Sequence, residues 1–479
     1  MDRKVHRPEL HFAPEEGVVE APAGVLLNDK VWHLWFQYRR SVDGPFRWGH
    51  NVSEDTPFDW LECDDALGPN EEEKTVRAGS VAAIDDSVCL YYTSVTADET
   101  RIELARYIDF NDACELSDDC TVLDQNVERV AVVADDSTAE GFHSFRSPCV
   151  VPDWAGEDRQ EPHSGWLMLA LTGDLDDPRP VVLKSEDGKD WSFVGPVTFD
   201  GDSGFAAHDG ALPPVVSPRI LRLRDEVDGK IYDVVLVTLE VDQQGEISGY
   251  VVGELEGSVF HVSQPFQRVD FGHDFTRPRN VNYTEGTIDK ATRYDAALLF
   301  GLLNGHGRRD EPAAHPSLTA EGWANALSLP RRVSLQGGKL FQTPPNGLPD
   351  AVADSRYARM WTGLMDVPEG SKVTVELLNE RGNPAAVIEH VGETLTLDRS
   401  MGVAFDARYA NEPKAQAHLD EGDSDSLTII VDGSTVEVFA DSGQVAMASR
   451  VYFVGGCSGF RVTTEGDAEI LREFERAGA

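Results

Sequence analysis

The chain has 479 residues, 84 of them acidic and 42 basic, for a formal charge of −42; the length suits two or three separately cored domains, and the charge excludes nucleic acid and anionic membrane surfaces as partners. The acids are spread along the whole length, as at Asp85-Asp86, Asp118-Asp119, Glu254 and Asp420 to Asp425, and with 41% hydrophobic residues the chain has enough apolar content to fold. Dispersed acid, with arginine well in excess of lysine, predicts a halophilic surface, because molar salt screens like charges within about 3 Å.

The first residues, Met1 to Pro8, hold no apolar segment, and no run of about 18 uncharged apolar residues follows; a cytoplasmic protein is expected. Short apolar or alternating runs then recur at Lys30 to Tyr38, Ser87 to Thr93, Trp166 to Thr172, Val234 to Leu239, Ala296 to Leu302, Lys372 to Leu378, Leu427 to Val431 and Thr435 to Ala440. Turn-forming clusters such as Asp85-Asp86-Ser87, Glu186 to Lys189, Asp228-Gly229 and Gln336-Gly337-Gly338 separate them, which predicts an all-β chain built of hairpins. Helical periodicity is confined to two stretches, Ser317 to Leu327 and Asp467 to Ala479. A hairpin series from about residue 20 to about residue 335 suits radial four-stranded blades, with a barrel or a large sandwich as competing arrangements. Thr343-Pro344-Pro345-Asn346-Gly347 reads as a boundary, and the remainder has the size of a β-sandwich. The six cysteines lack zinc or disulfide-scaffold spacing, and His50 and His208 fall in no ligand pattern, so neither a metal nor another cofactor is expected. Asn51-Val52-Ser53 and Asn282-Tyr283-Thr284 fit the glycosylation pattern but carry no weight in a cytoplasmic chain.

Three ordered stretches resemble glycoside hydrolase family 32, the family of invertases, levanases and inulinases. They are His6 to Pro14 with His33 to Tyr38 and Arg47 to Asp55; Phe271 to Pro278 with Leu298 to Gly305 and Gly322 to Leu335; and Leu427 to Phe453. The resemblance implies a five-bladed β-propeller over residues 1–342 and a C-terminal β-sandwich over 343–479. It also implies a sugar ligand of the fructoside class, with association into a homo-oligomer or with an active homologue left open.

Retaining members of that family use a nucleophilic Asp in WMNDPNG, a transition-state Asp in RDP and an acid Glu in ECP. Retention needs two carboxylates about 5 to 5.5 Å apart, one on the anomeric carbon and one protonating the leaving oxygen. The matching segments read Val18-Val19-Glu20-Ala21-Pro22-Ala23-Gly24, Arg146-Ser147-Pro148 and Val216-Ser217-Pro218, so Ala21, Ser147 and Val216 stand where the carboxylates belong. The family's GW segment also departs, with Leu302 and Leu303 after Gly301. Glu20, Gln37, Trp48, Ser80, Arg146 and Asp274 remain as candidate substrate-binding residues, Ser80 within Ala78-Gly79-Ser80. Glu20 and Asp209, the latter in His208-Asp209-Gly210, are candidate substitute carboxylates, although regular alternation along a strand would aim Glu20 away from the old target. Asp432, Glu437 and Phe439 match a sandwich signature taken as structural, with Glu437 or its neighbours able to face the propeller cleft. A sugar-binding or regulatory protein without efficient hydrolysis is therefore expected; the alternatives are a glycosidase rebuilt around Glu20 and a second acid, or an ordinary fructosidase.

Overall fold

The computed structural model describes residues 5–110, 116, 122–154, 165–205, 214–241, 245–405, 407–420 and 425–478. It is a β-propeller followed by a β-sandwich, with few and short helices.

Four-stranded meanders run outward from five inner strands: Gly17–Asn28, Glu73–Ile84, Arg146–Pro152, Val215–Arg224 and Phe275–Tyr283. The fourth gains an outer parallel strand, Thr198–Asp200 on Val259–Arg268. Each inner strand packs on the next, and the fifth pairs in parallel with the first from Val25↔Val281 to Leu27↔Tyr283, closing the ring. Continuous apolar faces bury both sides of the inner meanders, as in Leu34, Trp35, Leu90, Leu169, Val182, Leu236 and Val251. The hairpin turns follow from local chemistry: Gly337 and Gly338 take φ of 59° and 78°, the backbone twist that joins Arg331–Gln336 to Lys339–Thr343. The inner strands share one irregularity. Register shifts fall between Val19 and Ala21, Arg77 and Ser80, Val216 and Arg219, and Thr276 and Arg279, and opposite Leu169 and Leu171 on the third. Pro148, Pro218 and Pro278 fall within three of them and supply the cause there, since proline has no N–H for the ladder. Ser147, Ser217 and Arg277, each just before its proline, take φ of 54°, 55° and 50°. In the second strand Gly79 does this work, because a Cβ there would lie 1.9 Å from the Tyr91 carbonyl oxygen.

The sandwich pairs two five-stranded sheets over a core of Trp361, Met365, Val375, Ile388, Leu397, Ile429, Val438 and Met447. The helix Leu348–Asp354 follows the Pro-Pro stretch and seats Leu348 and Val352 in a cluster with Leu10, Phe58, Leu329, Met360 and Phe439, which draws on both halves. Polar groups lock the same junction. Asp432 accepts the backbone N–H groups of Glu9, Leu10 and His11, while His11 bridges Asp432 at 2.9 Å and Glu437 at 3.0 Å. Glu437 also accepts from Arg331 Nε at 2.8 Å and from the Leu329 N–H. Glu437 is thus a buried junction residue and does not face the axis.

Two expectations need correction. The stretch from Asp467 is not helical over its described residues: Glu469–Ala477 is an edge strand, paired along its length with Arg359–Asp366. Its Leu, Arg and Glu residues favour helix locally, and an open sheet edge outweighs that preference. Ser317 to Leu327 holds only the helix Pro316–Glu321, ended by Gly322 at φ 86°, before the strand Trp323–Ala324 pairs with Gly17 and Val18.

Candidate functional site at the propeller axis

The bulges bring polar residues of all five inner strands to the ring's centre. On the first strand Glu20 is buried, 8% exposed, and forms an ion pair with Arg39 at 2.8 Å. Its backbone oxygen accepts from Arg277 Nη1 at 3.2 Å, and Arg277 Nε donates at 2.9 Å to Glu246, whose side chain is fully buried. Burial raises the Glu20 pKa; Arg39 and Arg277 oppose the rise, and Asp310 adds to it. Asp310 is thus a second carboxylate close enough to act on Glu20. His315 Nε2 at 2.9 Å and Asn325 Nδ2 at 3.0 Å bond it, and although burial works the other way, these neighbours hold its pKa below the ordinary value. One acid pushed up beside one pushed down is the pattern that separates proton donor from base. Both are already engaged by protein groups.

The three residues matched by resemblance to the family's carboxylate positions lie as follows. Ala21 packs with Trp35, Trp48 and Ala78 in an apolar cluster, whereas Ser147 and Val216 are half-buried. Among the retained candidates, several hold one blade to the next. Gln37 Oε1 accepts the Ala78 N–H at 2.6 Å, and Ser80 Oγ accepts the Val150 N–H at 3.1 Å. Trp48 is 0% exposed and donates its indole N–H to the Arg77 carbonyl at 3.0 Å, so it is core and offers no sugar platform. Arg146 donates to the carbonyls of Ser144 and Asp174 at 2.9 and 3.0 Å and to that of Gly173. Asp274 is not brought to the axis: it accepts from Arg399 Nη1 at 2.6 Å and from the Arg450 N–H at 2.7 Å, both of the sandwich. Asp209 and His208 lie outside the described residues. His50 is buried against His33, with nitrogens 3.1 Å apart, and among the described residues no three His, Cys, Asp or Glu side chains converge as a metal's ligands would.

Sequence reading missed Asp310, Asn325 and most of the arginines that ring the axis: Arg39, Arg77, Arg219, Arg277, Arg279 and Arg308. Arg219 donates to the carbonyls of Ser147, Pro148, Pro218 and Gly79, clamping three inner strands. Arg279 bonds Ser217 Oγ, and Arg308 pairs with Glu240. The recurrence of Arg beside Pro in Arg146-Ser147-Pro148, Pro218-Arg219 and Arg277-Pro278-Arg279 was the available signal.

A ring of meanders with a bulged polar axis, latched to a sandwich, places the chain in the propeller-and-sandwich class of proteins. Residues 11–344 match the Glycosyl hydrolases family 32 N-terminal domain and residues 370–476 the Glycosyl hydrolases family 32 C-terminal domain. The chain belongs to glycoside hydrolase family 32. It is 25% identical to a sucrose-6-phosphate hydrolase of Bacillus subtilis (strain 168), across 97% of this chain and 93% of that protein. It is 24% identical to a raffinose invertase of Escherichia coli, across 93% and 89%. The fructofuranosidase of Schwanniomyces occidentalis, complexed with fructose, shares the fold at TM-score 0.75 and 19% identity, covering 99% of this chain and 98% of that one. An exo-inulinase of Aspergillus awamori does so at TM-score 0.75 and 18% identity, with the same coverage.

Proposed function

We propose that this β-fructofuranosidase-like chain serves carbohydrate metabolism as a sugar-binding or regulatory protein, holding a ligand of the fructoside class at the propeller axis without efficient hydrolysis. What supports this is the reading that Ala21, Ser147 and Val216 stand where the family's three motif carboxylates belong. Loss of a nucleophile alone costs on the order of 10⁴ to 10⁶ in rate, and losses within one catalytic unit do not simply add. The ion pair of Glu20 with Arg39 weighs against its taking over the missing group, since it engages the carboxylate within the strand's bulge. The similarity to a sucrose-6-phosphate hydrolase and an invertase supports the ligand class. We also infer a halophilic setting from the acidic composition; among the described residues no helix is long and apolar enough to cross a membrane.

One observation favours a second function, a rebuilt glycosidase: the interaction of Glu20 with Asp310, which sets their proton affinities apart. Sucrose, levan and inulin incubated with the wild type and with Glu20→Gln separate the two. No released fructose from either protein supports binding without turnover; release by the wild type that Glu20→Gln abolishes establishes the rebuilt site instead.

A further inference from the structure

The axis of this strongly acidic chain is basic. Among the described residues, seven guanidinium groups, those of Arg39, Arg77, Arg146, Arg219, Arg277, Arg279 and Arg308, gather with the four carboxylates of Glu20, Glu240, Glu246 and Asp310. The acids are spoken for: Glu20 by Arg39, Glu246 by Arg277, Glu240 by Arg308, and Asp310 by His315 and Asn325.

Four of these arginines have no carboxylate partner among the described residues. Arg219 and Arg279 lie deep and spend their donors on backbone carbonyls and Ser217. Arg146 gives its donors to carbonyls, and the one carboxylate that acts on it, Asp174, is exposed and lies 3.3 Å from His143. Arg77 is the clearest case. It sits at the bulge of the second inner strand, half-buried; its Nε is buried without a partner, and the charges acting on it are the cations Arg308 and Arg277. Arginine cannot relieve such crowding by losing its proton, and a buried charge without a counter-charge is strongly destabilising. The remedy is an anion, and the guanidinium fork fits a planar or tetrahedral oxyanion through two parallel bonds, which a spherical halide cannot accept in the same way.

We propose that the axis is an oxyanion site that takes a sugar bearing a carboxylate, sulfate or phosphate group, held by Arg77 with the charges of Arg146 and Arg308 alongside. This rests on the reading of the axis as a sugar site and specifies its substrate class. The rest of the sugar would lie against the half-buried Ser147 and Val216, where a charged ligand meets no carboxylate of the old motif.

The test is calorimetric titration of the whole chain in potassium chloride at constant ionic strength, with fructose, fructose 6-phosphate, glucuronate and inorganic sulfate as probes. The variants are Arg77→Ala and Arg77→Lys, with circular dichroism and thermal melting confirming that each is folded. At least one anionic sugar should bind roughly ten- to hundred-fold tighter than fructose, the range for hydrogen bonds to a charged group. Arg77→Ala should erase that margin, and Arg77→Lys should recover part of it. Equal affinity for charged and neutral sugars, or a margin that survives Arg77→Ala, would overturn the proposal. Sulfate binding as tight as that of the anionic sugars overturns the sugar part, leaving a site for a free oxyanion. If fructose fails to bind while glucuronate binds through Arg77, the fructoside reading falls and the oxyanion site stands.

Discussion

Regular alternation would turn Glu20 away from the face that Ala21 presents, but the register shift between Val19 and Ala21 cancels that rule and leaves Glu20 paired with Arg39 beside Arg277 and Asp310. A buried carboxylate in this position is held by its partner. Arg39→Ala should destabilise the chain by about 2 to 3 kcal/mol, somewhat below the loss for a fully buried pair because Arg39 keeps some contact with water. The sign of the pH effect follows from the raised Glu20 pKa. A carboxyl whose folded value lies above its unfolded value favours the folded state when protonated, so its contribution diminishes as pH rises above the unfolded value, 4.5. Without Arg39 the rise is larger, and the variant should lose more stability at pH 7 than at pH 5 in denaturant melts; an equal loss at both would mean that Glu20 is not the group affected. At this scale the sequence was partly legible. Ala21, Ser147 and Val216 were placed at the motif positions from local resemblance, whereas Asp310 could not be found that way, since no motif surrounds it and only the loop carrying His315 and Asn325 brings it to the axis.

Between elements, the inner strands are joined less by sheet hydrogen bonds than by single side chains crossing from blade to blade: Gln37 to Ala78, Ser80 to Val150, Thr93 to Ser147 and Arg219 to three strands. Glu246 does the same between the fourth and fifth blades, accepting from Thr276 Oγ1 at 2.7 Å and from Arg277. Glu246→Ala leaves Arg277 buried without its partner and should cost about 3 to 5 kcal/mol, read as a lowered denaturation midpoint with an unchanged slope. A loss under about 1 kcal/mol would show the pair to be no more than a surface-like contact. Strands and hairpins were well predicted by apolar runs and turn residues because those signals are local. The C-terminal edge strand was not, as its pairing with Arg359–Asp366 spans more than a hundred residues of chain. Asp274 was misassigned for a related reason: a local match to the family cannot reveal that Arg399 and Arg450 come from the other domain.

Over the whole molecule, a surface of dispersed acids encloses a basic axis and a polar latch between domains. His11 sits at that latch. Burial opposes its protonation, but bonds to Asp432 and Glu437 raise its pKa to about 9. A histidine with a folded value above the unfolded 6.5 contributes its full stability below pH 6.5 and loses it as pH climbs through about 9. Unfolding followed between pH 6 and pH 10 should therefore show a decline that His11→Gln removes; a variant with the same alkaline decline would place the effect elsewhere.

The measurement closest to the central claim is calorimetric titration of the intact chain, in about 2 to 3 M salt so that surface repulsion is screened, with sucrose, short fructans and their charged counterparts, each sample then assayed for free fructose. The account predicts saturable binding at one site with no sugar released. Steady release of fructose at rates ordinary for an enzyme, on the order of 1 to 10³ per second, would contradict it.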